Sequence, residues 1–193
     1  MALGELRTIS ASELKEASSL EALVTERLVA NLDFRLRLDS IDDGVVRDLT
    51  SFSSIFYESL PEIISDFYQH MLSFDQTRKF FHEFDVSHLK AKQLQHWQRL
   101  FAAQFDEEYV RGAVRIGLIH HKINLPLYLY LAGYNRVLCD LSATAIKSKL
   151  GALESSQLVT SIIKVVSLDM DIAISCYFLA ENIEHKRARK ALN

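Results

Sequence analysis

The stretch RIGLIHHKINLPLYLYLAGY, residues 115–134, decides the reading of this chain. Up to Lys122 its apolar residues recur every three to four positions, the spacing that lines one face of an α-helix. Asn124 and Pro126 stop that helix, because asparagine tolerates the left-handed backbone of a helix end and proline cannot continue one. A second apolar helix follows from about Leu127. Two adjacent histidines stand near the end of the first. Helical neighbours point about 100° apart, so only one of them faces a given pocket. The His120 face adds Ala113, Ile116, Gly117 and Ile123, with Gly117 one turn earlier leaving room for a large flat ligand. The His121 face adds Val114, Leu118 and Leu125. Periodicity does not choose between them, and a half-buried helical histidine with a backbone partner accounts for either.

Helical spacing continues on both sides. Residues 11–30, ASELKEASSLEALVTERLVA, read as a helix with leucines at 14, 20, 23 and 28 that packs on the main body or on a partner chain. Ser40 offers an N-cap ahead of IDDGVVRDL. Thr50 opens another apolar-periodic stretch, and Pro61 fits the first turn of a helix running through PEIISDFYQHML. After a polar break at Ser73–Asp75 come Phe80, Phe81 and Phe84. Ser87 is placed to cap a helix to about Phe105, and Asp106 to cap the one that carries the histidines. A helix from about Leu127 to Leu150 ends at Gly151. The last runs from about Ser155 to Glu184, a length of about 45 Å. The spacing predicts an all-α chain of seven or eight helices.

Composition agrees. Among 193 residues there are 2 prolines and 6 glycines, too few for a turn-rich β-fold, and 49% are hydrophobic, too many for a disordered tail. The net charge of −3, with both signs mixed, asks for neither nucleic acid nor an anionic membrane. The first residues lack a signal-peptide core, and no run of 18 apolar residues exists. Cys139 and Cys176 sit in apolar helical stretches and read as reduced thiols, which points to the cytoplasm.

The seven histidines form no HExxH pair and no zinc spacing with cysteine. GxSxG and phosphate-binding glycine loops are missing too, and the carboxylate pairs Asp42/Asp43 and Glu107/Glu108 stand at helix starts, where they favour the dipole. The chain therefore reads as no enzyme. Tyr68 is the second residue of interest. It lies among Ile64, Phe67, Met71 and Leu72 and is either an ordinary core tyrosine or a donor aimed at a bound small molecule.

Together these segments resemble the globin domain of globin-coupled sensors, haem proteins in which a globin regulates an output module, over roughly residues 40–180. The resemblance implies a globin fold with an N-terminal helical extension: extension over 1–38, sensor globin over 39–184, and the start of a linker over 185–193. It implies His120 as proximal ligand of haem b, with Asn124 standing where the family usually has glycine. SDFYQHML resembles the segment with the distal tyrosine, which places that role on Tyr68. HLKAKQLQHWQRLF resembles the distal helix, with Leu89 over the haem face and Lys92 where some members have threonine. That lysine snorkels toward a propionate or solvent. Phe67, Met71, Trp97, Ile116, Ile123, Leu125 and Tyr130 complete the implied haem contacts.

The implied function is reversible binding of O2, CO or NO and signalling to a C-terminal output module, with a diguanylate cyclase favoured over a histidine kinase or a chemotaxis transducer. The implied partner is a second copy, through the last two helices. Leu158, Ile162, Val165, Val166, Leu168, Ile172 and Ile174 suit that seam, unless they pack only inside one subunit. A standalone globin for O2 binding or NO detoxification, and a haem-free helical regulatory domain, are the alternatives.

Overall fold

The computed structural model describes residues 11–191. Residues 1–10 of the expected extension and residues 192–193 of the expected linker lie outside the described residues, as does the side chain of Leu14. Nine α-helices form, and no strand is found among the described residues. They are α1 (Ala11–Val29), α2 (Leu32–Leu38), α3 (Asp43–Ser51), α4 (Ser53–Leu72), α5 (Asp75–Arg78), α6 (Val86–Phe101), α7 (Glu107–Lys122), α8 (Leu127–Lys147) and α9 (Ala152–Ala191). A single 3-10 turn over Lys79–Phe81 follows α5.

The starts of α3, α6 and α7 are capped by a carboxylate, two of them by a residue other than the one expected. Asp106 caps α7 as expected, accepting from the Tyr109 N–H at 2.8 Å. Ser40 does not cap α3. It takes a left-handed φ of 53° and gives its carbonyl to Lys164 Nζ at 2.7 Å. Asp42 is the cap, accepting from the N–H groups of Gly44 and Val45 at 2.9 and 3.1 Å. Nor does Ser87 cap α6: Asp85 accepts from the Ser87 N–H at 2.9 Å. In both places a carboxylate that reaches the free N–H groups displaces a nearby hydroxyl that does not.

Pro61 also differs from expectation. It lies in the middle of α4, not in a first turn. It is tolerated there on an exposed face, where the carbonyl one turn back, on the exposed Tyr57, can be satisfied by water. The α7 ending follows the sequence closely. Asn124 has φ 52°, and the N–H of Leu125 returns to the His120 carbonyl at 3.0 Å.

Packing is layered around α9. Helices α7 and α8 lie along it, α4 packs on α6 and α8, and α1 crosses α7 and α9. The contact between α6 and α7 is slight by comparison. The core includes Phe56 stacked on Phe101 (ring centroids 4.2 Å apart), with Leu49, Leu60, Leu100, Leu141, Leu158 and Ile162 fully buried. Each such aliphatic side chain contributes about 1.5–3 kcal/mol of burial energy.

Helix α9 spans 40 residues, about 60 Å, and is longer at both ends than expected. Leu158, Ile162, Val165, Val166, Leu168 and Ile172 are at most 1% exposed within this one chain, and Ile174 is half-buried. Six of the seven residues expected at a subunit seam thus belong to the internal core. The exposed apolar side chains of α9 are Leu153, Ile163 and Phe178. Among the described residues no helix is long and apolar enough to cross a membrane.

Candidate functional site

The two adjacent histidines of α7 part company in the structure. His121 turns to α9, with its ring edge-on to Tyr177 at 5.7 Å and Nε2 3.6 Å from the Glu184 carboxylate. His120 turns to α8, its ring T-shaped against Tyr130 at 4.8 Å. The Nδ1–H of His120 donates to the Ile116 carbonyl at 2.8 Å. That bond fixes the tautomer and leaves the Nε2 lone pair as the free donor to a metal. Burial pushes the His120 pKa below the usual histidine range, against a smaller opposing pull from the Ile116 carbonyl, so the ring is neutral at pH 7.

Gly117 has a different role from the one expected. It does not open space for a flat ligand. It lets α7 and α9 touch: a Cβ there would lie 2.8 Å from Cys176 Cβ and 3.3 Å from the Ala173 carbonyl oxygen. Gly117 points to α9 because it precedes His120 by three residues but His121 by four, and it is His121 that faces that helix.

On the other side Tyr68 is buried on α4, edge-on to Phe67 and Phe81 at 5.2 and 5.7 Å. Burial raises its hydroxyl pKa to about 12, so it is a proton donor throughout the physiological range, and no side-chain hydrogen bond within the described residues engages it. Phe67 lies against Gly133 of α8, where an added Cβ would sit 3.3 Å from its ring. Met71 is buried, while Leu89, Ile116, Ile123 and Leu125 are half-buried. Lys92 is exposed, consistent with a head group held in solvent. Trp97 is 3% exposed and stacks on Phe101 at 6.2 Å. One turn apart on α6, Gln93 Oε1 and Trp97 Nε1 are buried without a hydrogen-bond partner, which is unusual in a finished interior.

A polar cluster missed at the level of sequence lies behind His120. Asp169 of α9 is fully buried. It accepts from Tyr109 at 2.8 Å, from Tyr134 at 2.6 Å and from His96 Nε2 at 2.7 Å, and Tyr130 donates to the Tyr134 hydroxyl at 3.2 Å. Asp169 thereby joins α6, α7 and α8 to α9. The signal was a carboxylate on the buried face of an apolar helix, one turn from Val165, Val166, Ile172 and Ala173. A charge placed there announces donors waiting on neighbouring helices.

Burial alone would lower the His96 pKa, but the Asp169 charge and hydrogen bond outweigh it and raise it. Burial alone would raise Asp169, but the charge of His96 and the three donors hold it below the usual carboxylate range. The two signs define a window. The His96 contribution is complete below the unfolded histidine value of about 6.5 and is lost as pH rises through the raised folded value. The Asp169 contribution is present above about pH 4 and is lost on acidification. The stability gap between the wild type and His96→Gln is therefore expected to be widest near about pH 5–6 and to narrow toward about pH 9. Urea unfolding across that range measures it, and a gap that widens with pH contradicts the pairing.

No group of three or more His, Cys, Asp or Glu side chains placed to hold a metal ion occurs among the described residues. The donor set is instead one neutral imidazole with a free Nε2, half-buried against Tyr130 of α8. That chemistry fits an iron already carried by a macrocycle and needing a single protein ligand. The open surface depression lined by Asp66, Gln69, His70, Ser73 and Arg136 contains neither His120 nor Tyr68.

Comparison with known proteins agrees. The heme-based aerotactic transducer HemAT of Halobacterium salinarum is 27% identical over 159 residues, 77% of this chain and 32% of the transducer, so the chain spans about a third of that relative's length. The globin domain of a Geobacter sulfurreducens globin-coupled sensor superposes with a TM-score of 0.71 at 19% identity, covering 75% of this chain and 96% of that one. The ferric globin domain of E. coli DosC superposes with a TM-score of 0.62 at 16% identity, covering 81% and 98%. These superpositions establish the globin fold of globin-coupled sensors. The Protoglobin family profile matches residues 29–182, from the end of α1 to near the last core residue of α9, and the chain belongs to that family.

Proposed function

We propose that this chain is a haem-based gas-sensor domain in which His120 holds haem b, Tyr68 donates to the bound gas and α9 carries the ligation state onward. Membership of a globin family implies haem binding. The observation that carries the reading is His120: half-buried, neutral, with Nδ1 committed to the Ile116 carbonyl and Nε2 free. Haem held there would supply an iron able to bind O2, CO or NO. The Ile116 carbonyl orients the imidazole and raises its basicity. Phe67, Met71, Leu89, Ile116, Ile123 and Leu125 would exclude water from such a group, Trp97 and Tyr130 would pack against it, and the exposed Lys92 would offer its ammonium to a haem carboxylate from solvent.

The protonated Tyr68 hydroxyl is the neutral donor for a polar diatomic ligand. One such bond is worth on the order of 1 kcal/mol, several-fold in affinity. A hydroxyl donor would favour O2 over the less polar CO at a haem held there. Tyr68→Phe is thus expected to speed O2 dissociation several-fold and CO dissociation much less, as measured by stopped-flow and flash photolysis. Equal changes for the two gases count against the donor role.

Signalling in this proposal runs through the contact of Gly117 with Cys176, one turn from His120, into α9. The chain itself acts by binding and not by catalysis. A diguanylate cyclase output rests on the sequence resemblance, and a chemotaxis-type transducer is supported by the name of the Halobacterium relative. A homodimer through α8 and α9 is supported by the exposed Ile146, Ile163 and Phe178. A cytoplasmic setting is supported by the free thiols of Cys139 and Cys176. The deciding experiment is the visible spectrum of the protein, reduced and then exposed to oxygen. A band that shifts with oxygen is expected, and a colourless protein that takes up no added haem sinks the proposal.

A further inference from the structure

We infer that Asp169 is a positioning residue for the iron ligand, acting on His120 through Tyr134 and Tyr130, an inference that rests on the haem reading above. The path is continuous. The Asp169 carboxylate accepts the Tyr134 proton at 2.6 Å, the Tyr134 oxygen accepts the Tyr130 proton at 3.2 Å, and the Tyr130 ring packs T-shaped on the His120 ring at 4.8 Å. Every donor around Asp169 is a hydroxyl or a ring N–H, so the chain of bonds has one direction. Asp169 only accepts, which commits the Tyr134 proton to it and the Tyr130 proton to Tyr134.

The consequence is geometric. The His120 imidazole is held at Nδ1 by the Ile116 carbonyl, but one hydrogen bond leaves the ring free to rock about that bond. The edge of Tyr130 removes that freedom, and Tyr130 is itself pinned at its far end by the bond to Tyr134. Tyr130 is buried and Tyr134 half-buried, and each hydroxyl proton is committed to its neighbour along the path. Asp169 is anchored from two further sides, by His96 on α6 and Tyr109 on α7, and neither of those bonds leads to Tyr130.

That branching provides the test. Asp169→Asn and Tyr134→Phe break the path, whereas Tyr109→Phe removes a 2.8 Å hydroxyl bond to the same carboxylate and leaves the path whole. The readout is the iron–histidine stretching band of the ferrous haem-loaded protein by resonance Raman, which reports the orientation and basicity of His120. The band is expected to shift or broaden in Asp169→Asn and in Tyr134→Phe, in the same sense, and to stay in place in Tyr109→Phe. Tyr134→Phe keeps the His96 and Tyr109 bonds to Asp169, so it decides the matter even where Asp169→Asn fails to fold. A band unmoved in Tyr134→Phe, or moved as far in Tyr109→Phe, overturns the positioning role while leaving the haem reading intact. A wild-type protein that takes up no haem overturns the functional reading itself, and the positioning role with it.

Discussion

His120→Ala is expected to lose haem at concentrations where the wild type holds it fully, and its neighbour His121→Ala to retain it. The two residues are adjacent on one helix and equal in type, so the contrast isolates direction. His120 Nε2 is free while its Nδ1 is tied to Ile116; His121 faces Tyr177 and Glu184. Loss of an outer-shell partner at a metal site costs roughly 10–100-fold in affinity, and loss of the ligand itself should exceed that. Haem transfer to a competing acceptor, followed by absorption, measures the effect. Added imidazole should restore a six- or five-coordinate spectrum in the His120→Ala protein by occupying the vacated position. Unaltered retention in His120→Ala, with loss in His121→Ala, would reverse the assignment.

Gly117→Val is expected to be the most destabilising single substitution on α7. A Cβ at this position meets Cys176 Cβ at 2.8 Å and a backbone carbonyl oxygen at 3.3 Å, and neither can swing away. Two long helices have to separate along a contact broader than any other in the molecule. Overpacking of this kind costs about 1–3 kcal/mol and sometimes more, and a β-branched residue sits at the upper end. A chain of this size loses about 2–4 °C of Tm per kcal/mol, so a drop of up to about 10 °C is expected by calorimetry. Gly112→Ala on the same helix is the control. Its Cβ meets nothing within 4 Å, and the gain in helix propensity of up to about 1 kcal/mol should raise Tm. Cys176→Gly combined with Gly117→Val removes the colliding atoms and should recover part of the loss. Equal Tm values for Gly117→Val and the wild type would mean that the helices are not in close contact there.

Much of this molecule was legible because its signals are local. Asn124 and Pro126 stop α7 where helix-end chemistry says they should, and Asp106 starts it. Tyr68 and His120 stood out as polar groups on apolar faces, and both are buried or nearly so. What was not legible depends on which helix lies opposite. Periodicity puts Gly117 on the His120 side of α7, yet the neighbour at Gly117 is α9 and the neighbour at His120 is α8. The apolar stripe on α9 from Leu158 to Ile172 reads equally as a subunit seam or as core, because burial energy does not distinguish the two. Asp169 announced itself only as a misplaced charge, since its donors come from three other helices far apart in sequence. Ser40 and Ser87 were reasonable caps on residue type, and lost to carboxylates two residues away whose reach was better.

Helix α1 lies almost wholly outside the family match yet inside the packed molecule. The family profile begins at Val29, where α1 ends. Yet Val24 and Leu28 of α1 are 0% and 2% exposed, and Glu21 and Ser19 hold Arg115 of α7 and Arg187 of α9 at 2.8 and 3.0 Å. The matched segment is thus smaller than the unit that is physically closed. A fragment trimmed to the family's limits would bare the outer flank of the helix that carries His120, leave Arg115 without its counter-ion and present a fresh apolar strip for self-association. Helix α1 thus serves as an outer wall for α7.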